Sequence, residues 1–163
     1  MGGAARAAKV GLLVLFAGAV GACSIGSPST FTLNSASVDP EYACPAGTDK
    51  GPYALHATIE VRNGTSNGVA IKSTAAVLTL AAVKGGWLDH VGYKYKAEGV
   101  TFSPASIGAG SPASVNVTIP IACTNGKTAS DGSSYGEYSV TLTVTTSTGT
   151  YTIDSKNRHR IVA

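Results

Sequence analysis

The feature that most constrains the fold is a strict alternation of apolar and polar side chains. From Tyr53 to Arg62 the odd-numbered positions are apolar and most even-numbered ones are polar. Because successive side chains of a β-strand point to opposite faces, this pattern predicts a strand with one buried face. The same period recurs over Ala113–Ile121 and Tyr138–Thr145. The residues predicted to be buried are Leu55, Ile59, Val117, Ile119, Val140 and Leu142.

Turn-forming residues separate the apolar segments. Asn63-Gly64 ends the first alternation, and Lys84-Gly85-Gly86 lies between the apolar stretch Ala75–Val83 and a further alternation over Trp87–Tyr95. The latter two segments are predicted to form a hairpin. No helical period is found in residues 31–163, so we expect an all-β domain there. The sequence predicts an antiparallel, immunoglobulin-like β-sandwich of about seven to nine strands.

The first 22 residues have the composition of a secretory signal peptide. Two basic residues precede an apolar run, Val10–Phe16, and small residues follow it up to Ala22. A membrane-spanning helix needs about 20 apolar residues, more than this run contains. We therefore expect residues 1–22 to be removed and residues 23–30, which are mostly small and polar, to form a flexible tether.

The end of this segment, Val20-Gly21-Ala22-Cys23, resembles the lipobox of bacterial lipoprotein precursors. The resemblance implies cleavage between Ala22 and Cys23, a diacylglycerol thioether on Cys23, and acylation, as with palmitate, of the new amino terminus. It also implies that the protein is anchored by lipid to a membrane of the bacterial cell envelope. Two or three acyl chains hold a protein on a membrane more firmly than one. An ordinary secretory signal followed by an unrelated cysteine is the alternative.

The remaining cysteines agree with export. The chain has three cysteines, and with Cys23 assigned to the lipid only Cys44 and Cys123 are left to pair. In an oxidising compartment we expect them to form a disulfide, which would contribute roughly 4 kcal/mol on the chain-entropy model. Two buried free thiols are the alternative.

The charge balance excludes one class of partner. Twelve Lys and Arg face nine Asp and Glu, and two of the basic residues, Arg6 and Lys9, lie in the segment expected to be removed. A nearly neutral domain argues against a nucleic-acid partner and against a polybasic membrane-binding surface. The expected membrane contact is therefore the lipid anchor itself.

Residues 53–121 resemble FxLYD-like and related immunoglobulin-like domains of bacterial surface lipoproteins. The resembling segments are Ile59–Thr65, Val77–Trp87 and Ile107–Val117. The aromatic-Leu-Tyr-Asp motif itself is absent, and Thr79-Leu80-Ala81 stands where it would fall. Such domains share no general activity, so the resemblance implies a fold and not a reaction.

Catalytic and metal-binding patterns are weak. The segment Gly132–Gly136 fits the G-x-S-x-G pattern of hydrolase nucleophiles, but that pattern requires a strand that turns sharply into a helix, and a strand is predicted here instead. His56, His90 and His159 have no spacing typical of metal ligands. We predict no catalytic residue, no metal and no cofactor.

The aromatic segment is the best candidate for a contact surface. It contains Trp87, His90, Tyr93 and Tyr95, and Trp and Tyr are favoured at binding sites because they combine apolar area with a polar tip. The alternative is that Trp87, Val91, Tyr93 and Tyr95 form the inward face of the hairpin, since their spacing is even.

Three functions follow as hypotheses. The first is a lipid-anchored, non-catalytic binding or structural module of the cell envelope that meets a protein or glycan partner through loops or a sheet edge. The second is an envelope accessory subunit or assembly chaperone that acts by strand addition. A hydrolase of the envelope is the third.

Overall fold

The computed structural model describes residues 30–45, 50–123 and 134–163. The predicted signal peptide, the predicted lipidation site Cys23 and nearly all of the predicted tether lie outside these ranges. The strands, in chain order, are β1 Phe31–Val38, β2 Glu41–Ala43, β3 Pro52–Asn63, β4 Val69–Lys84, β5 Lys94–Lys96, β6 Thr101–Ser103, β7 Ser106–Ile107, β8 Pro112–Ala122, β9 Tyr135–Thr146, β10 Thr150–Asp154 and β11 His159–Val162. A search of the described ranges finds no helix long and apolar enough to cross a membrane.

The strands form two sheets packed face to face. The first sheet has the order β1-β3-β8-β6, and the second has the order β2-β11-β9-β4-β5, with β10 beside β9 and β7 beside the start of β4. This is the ABED and GFC arrangement of the immunoglobulin fold, so the predicted sandwich is confirmed. Eleven strands are described where seven to nine were predicted, because β2, β5, β6 and β7 have only two or three residues. One pair, β2 with β11, is parallel.

The core lies where the alternation predicts it. All six residues predicted to be buried are at most 1% exposed, whereas their neighbour Glu60 is exposed and Thr58 is half-buried. These side chains come from β3 and β8 of one sheet and from β9 of the other. Burial of alternate positions on both sheets is what holds the two layers together.

The predicted hairpin is correct in its pairing and wrong in its length. β5 pairs with β4 only over Val77–Thr79, and residues 85–93 form a loop. Two glycines of this loop have a positive φ, +71° at Gly85 and +93° at Gly92, which strands do not accommodate. The loop therefore leaves the sheet before Trp87 and rejoins it near Tyr93.

A disulfide links the two sheets at one end of the sandwich. Cys44 follows β2 in the second sheet, Cys123 follows β8 in the first, and their Cα atoms lie 5.9 Å apart in the bonded pair. The predicted disulfide is confirmed. We call this end, which also contains the start of β3 at Pro52, the disulfide pole.

The opposite end receives the chain from the amino terminus, and we call it the tether pole. Here the carbonyl of Thr30 accepts a hydrogen bond from the N–H of Gly64 at 2.9 Å. β3 connects the two poles with 12 residues, which at about 3.3 Å per residue corresponds to roughly 36 Å. The two poles are thus separated by nearly the full length of the domain.

A buried amide closes the tether pole. The side chain of Asn63 is fully buried, and its Nδ2 donates to the carbonyls of Ile107, Gly108 and Asn67 at 2.8 to 3.1 Å. Its Oδ1 accepts hydrogen bonds from the N–H and the hydroxyl of Thr65. Because every polar atom of this amide is bonded, its burial stabilises the loop instead of costing stability.

Candidate binding site at the disulfide pole

A cavity of about 420 Å³ opens between the two sheets at the disulfide pole. Leu78, Tyr138 and Ile161 of the second sheet and Ile121 of the first form its floor, and each is at most 6% exposed. The floor of the cavity is therefore part of the hydrophobic core. Its volume lies within the roughly 300 to 1,000 Å³ typical of ligand sites.

The rim of the cavity comes mainly from the loop between β4 and β5 and from β5. Leu88, Asp89, Tyr93 and Tyr95 lie along one side, and Lys50 lies on the side of β3. Leu88 is 67% exposed, and the two tyrosines are 42% and 39% exposed. Apolar side chains thus surround an apolar floor, with one carboxylate and one ammonium group between them.

Exposed large apolar residues are concentrated around this rim. In the part of the chain that the structure describes, five such residues are more than a third exposed, and all fall between positions 83 and 95. They are Val83, Leu88, Val91, Tyr93 and Tyr95. Three of them, Leu88, Tyr93 and Tyr95, also line the cavity. Exposed apolar residues grouped around a pocket are typical of an interaction site, whereas single exposed apolar residues are not.

Trp87 anchors the loop that carries this rim. Its Nε1 donates a hydrogen bond to the hydroxyl of Tyr138 at 3.3 Å. Its indole also lies directly on Gly136, where a Cβ would come within 2.5 Å of the ring. Only a residue without a side chain allows this approach, so Gly136 and Trp87 together fix the loop above the cavity.

The four residues predicted to form a contact surface occupy different positions in the structure. Tyr93 and Tyr95 line the cavity, and His90 is exposed on the loop with its ring edge toward Tyr93 at a centroid distance of 6.3 Å. Trp87 is half-buried and supports the loop from below. The inward-facing alternative therefore describes Trp87 only. It is wrong for Val91 and for the two tyrosines, each of which is over a third exposed.

Sequence reasoning missed Leu88, Asp89 and Lys50. The alternation over Trp87–Tyr95 places Leu88 on the face opposite Trp87, Tyr93 and Tyr95. Leu88 was therefore not selected as a contact residue. Lys50 lies about 40 residues from the aromatic segment and reaches the rim through the fold alone. An exposed Leu within a glycine-containing loop is the one local signal that could have identified the site.

A second, charged cleft of about 300 Å³ lies beside β11. Glu137 accepts hydrogen bonds from Arg160 at 2.7 and 3.2 Å and from Arg158 at 3.3 Å. The Arg160 contact in particular lowers the pKa of Glu137, and Glu137 in turn raises the pKa of Arg160. Arg160 also lies 3.6 Å from Glu41. These charges satisfy one another, as in a structural ion network.

A buried histidine bridges β11, β3 and the segment after β1. The ring of His159 is within 2.7 Å of the Asp39 carbonyl through Nδ1 and within 2.8 Å of the Tyr53 hydroxyl through Nε2. The carbonyl can only accept, so Nδ1 carries the proton and Nε2 accepts from Tyr53. Burial lowers the pKa of His159 and raises the pKa of Tyr53. Tyr42 stacks on Tyr53 with ring centroids 3.8 Å apart, and Tyr53 is partly buried against the hydrophobic core.

The hydrolase-like motif does not form a nucleophile. Ser134 is buried and its Oγ accepts a hydrogen bond from the N–H of Gly86 at 3.2 Å. Strand β9 begins at Tyr135, so the strand-to-helix turn that exposes a catalytic serine is absent from this described segment. Gly132 and Ser133 lie outside the described residues. Ser134 serves to hold the glycine turn that precedes Trp87.

Metal ligands do not assemble either. A search of the described ranges finds no group of three His, Cys, Asp or Glu side chains that could hold a metal ion. His56 is exposed, and its Nδ1 lies 3.0 Å from the carboxylate of Asp39. The lining of the cavity at the disulfide pole is mainly apolar, with a few polar groups at the rim.

Comparisons with known proteins give no family. No protein-family model and no curated protein matches the sequence. Among solved structures, the chain is similar to PapD-like domain 7 of human CEP192 (14% identity, 97% of each chain, TM-score 0.32). It is also similar to AggA, the major subunit of aggregative adherence fimbriae type I from Escherichia coli (9% identity, 81% of this chain and 94% of that chain, TM-score 0.37). A third is the CooA pilin subunit of enterotoxigenic Escherichia coli (12% identity, 80% and 99%, TM-score 0.33). With TM-scores this low, the similarities carry no argument about function.

Proposed function

We propose that this protein is a non-catalytic binding module of the bacterial cell envelope, anchored to a membrane by lipid on Cys23, and that its disulfide pole binds a partner protein. The observation that carries the proposal is the cavity with its apolar rim. Leu88, Tyr93 and Tyr95 are exposed and line a preformed pocket. Tyrosine is also enriched among the residues that contribute most to protein interfaces.

The chemistry of the cavity favours a protein over a glycan. Its floor is built from Leu78, Ile121 and Ile161 with the ring of Tyr138, and its charged lining groups are Asp89 and Lys50. A sugar ring carries several hydroxyls that each require a hydrogen-bonding partner when buried. An apolar side chain of a partner protein needs none, and it gains free energy from burial against this floor.

The direction of the chain supports the proposal, because it would separate the proposed binding surface from the proposed anchor. The tether of residues 23–30 joins the domain at the tether pole, and the cavity opens roughly 36 Å away at the other end of β3. Eight residues span at most about 29 Å even when fully extended. A lipid on Cys23 would therefore leave the cavity turned away from the membrane that holds the anchor, where a partner protein can approach it.

Site-specific cross-linking in the bacterial cell tests this proposal. A photo-reactive amino acid, p-benzoylphenylalanine, replaces Leu88 on the rim or, as the matched control, the exposed Ser66 at the tether pole. We expect illumination to give a discrete protein adduct with the residue at position 88 and none at position 66. The absence of an adduct at position 88, or the same adduct at both positions, would refute binding at the disulfide pole.

A further inference from the structure

β5 is a sheet edge that lies directly beside the cavity. It is the last strand of its sheet and pairs only with β4 among the strands described. On its inner side, the carbonyl of Tyr93 accepts from the N–H of Leu80 at 2.9 Å, and the N–H of Ala97 donates to the carbonyl of Ala76 at 3.0 Å. The strand is thus held along one side over its whole length.

The outer side of β5 offers backbone groups in the geometry of a ladder. In an antiparallel pair the residues alternate between those that bond to the neighbouring strand and those whose N–H and C=O point away from it. Since Tyr93 and Ala97 bond to β4, Lys94 and Lys96 direct their backbone N–H and C=O groups outward. These four groups can receive a further strand.

The two faces of β5 differ in chemistry. Tyr93 and Tyr95 point toward the cavity, and Lys94 and Lys96 are exposed on the opposite face. A strand added to β5 would alternate in the same way. Every second side chain would lie over the apolar cavity, and the side chains between them would lie beside two ammonium groups.

From this geometry, and resting on the proposed function, we infer that the disulfide pole binds an extended segment of its partner by strand addition to β5. Apolar residues at alternate positions of that segment enter the cavity, and acidic residues between them face Lys94 and Lys96. Main-chain hydrogen bonds supply affinity, and the alternating pockets supply specificity.

A second copy of this chain does not fit the edge. Pairing two β5 strands would set lysine against lysine across the new ladder, and like charges in opposite positions are destabilising. The stretches 46–49 and 124–133 of the same chain contain no Leu, Ile, Val, Met or aromatic residue, so neither supplies an apolar anchor.

A membrane surface also fits less well. Apolar and basic side chains together are typical of lipid-binding surfaces. A bilayer, however, offers no backbone groups to Lys94 and Lys96, and the expected lipid anchor joins the domain at the opposite pole. A peptide strand uses the edge and the cavity together.

A designed peptide tests the inference on the purified domain. The probe is an acetylated, amidated seven-residue peptide in which Glu and Leu alternate, and the control has the same composition with the two residue types in blocks. Binding is followed through the emission of Trp87, the single tryptophan, which donates to Tyr138 in the cavity floor. We expect the alternating peptide to bind at least about tenfold more tightly than the block peptide.

Two variants of Lys96 distinguish the contribution of its charge to peptide binding from that of its backbone N–H. Lys96→Ala removes the ammonium group, and Lys96→Pro also removes an N–H that points away from β4, which an edge strand tolerates. We expect Lys96→Ala to weaken binding about two- to fivefold and Lys96→Pro to weaken it about fivefold further. Thermal melts of both variants establish that the fold is retained.

Four results would overturn strand addition. They are equal binding of the two peptides, equal affinity of Lys96→Ala and Lys96→Pro, concentration-dependent self-association, and binding to vesicles of anionic lipid that Leu88→Ser abolishes. The proposed function is tested separately with the cross-linked partner. If the double variant Leu88→Ser, Val91→Ser weakens binding of this partner and Lys96→Pro does not, the proposed binding surface is supported and strand addition to β5 is refuted. If none of these changes weakens binding, both fall.

Discussion

Gly136→Ala is the change whose effect can be worked out most closely from the structure. A Cβ at position 136 would lie 2.5, 2.7 and 2.8 Å from three atoms of the Trp87 indole, closer than real Cβ contacts. The ring must therefore move or the strand must shift. Overpacking of this kind costs about 1 to 3 kcal/mol, and the displaced ring also loses its hydrogen bond to Tyr138.

Without the indole, Gly136→Ala should change the free energy of unfolding in the opposite direction. In a Trp87→Ala background the Cβ at position 136 meets no ring, and alanine is favoured over glycine within a strand by about 0.5 to 1 kcal/mol. We therefore expect Gly136→Ala to destabilise the wild type and to be neutral or stabilising in Trp87→Ala. The resulting coupling energy is about 2 kcal/mol, within the range for residues in contact.

Urea melts followed by far-ultraviolet circular dichroism measure all four proteins of this cycle without relying on the tryptophan. A coupling energy near zero, with Gly136→Ala equally costly in both backgrounds, would show that the indole does not rest on Gly136. The contact between Trp87 and Gly136 would then not hold the loop over the cavity.

Three further predictions concern the core, the disulfide and the buried histidine. Ile59→Ala should destabilise by about 2 to 4 kcal/mol and Thr58→Ala by under about 1 kcal/mol, as measured by denaturant melts, because only the first leaves a cavity. Cys44 and Cys123 should resist thiol labelling in the non-reduced protein, and replacing both by Ser should cost roughly 4 kcal/mol. The pKa of His159 is lowered from 6.5, so the unfolded chain takes up the proton first. The contribution of His159 to the free energy of unfolding should therefore be constant above that pH, fall as the pH drops below it, and level off below the folded-state pKa. His159→Gln should remove this dependence of stability on pH, as measured by melts from pH 7.5 to 4.5. The same dependence in wild type and variant would show that His159 does not cause it.

Much of the fold was predictable because burial follows strand periodicity. The long strands carry enough alternation that Ile59, Ile119 and Leu142 were placed in the core from sequence alone, and each is fully buried. Strand β2 was missed because three residues carry no period. Its place is set by parallel pairing with β11, more than a hundred residues later.

The loop over the cavity shows where periodicity misleads. The alternation from Trp87 to Tyr95 is real, yet positive φ angles at Gly85 and Gly92 take this segment out of the sheet. The close approach of the indole to Gly136 is a contact between residues about fifty positions apart, which no local pattern reports.

The cavity itself could not be derived from any segment. Its floor combines Leu78, Ile121, Tyr138 and Ile161, each of which reads locally as an ordinary core residue. Only the packing of the two sheets brings these residues together beneath one cavity. Two residues of the aromatic segment, Tyr93 and Tyr95, do line its rim.

Hydrogen exchange of the domain, alone and with the cross-linked partner, tests most directly the claim that the disulfide pole is the binding surface. We predict slower exchange on binding for the amides from Leu88 to Ala97, with Lys94 and Lys96 most protected, and no change over residues 63–69 at the tether pole. Protection confined to the tether pole, or no change at the rim, would contradict the account.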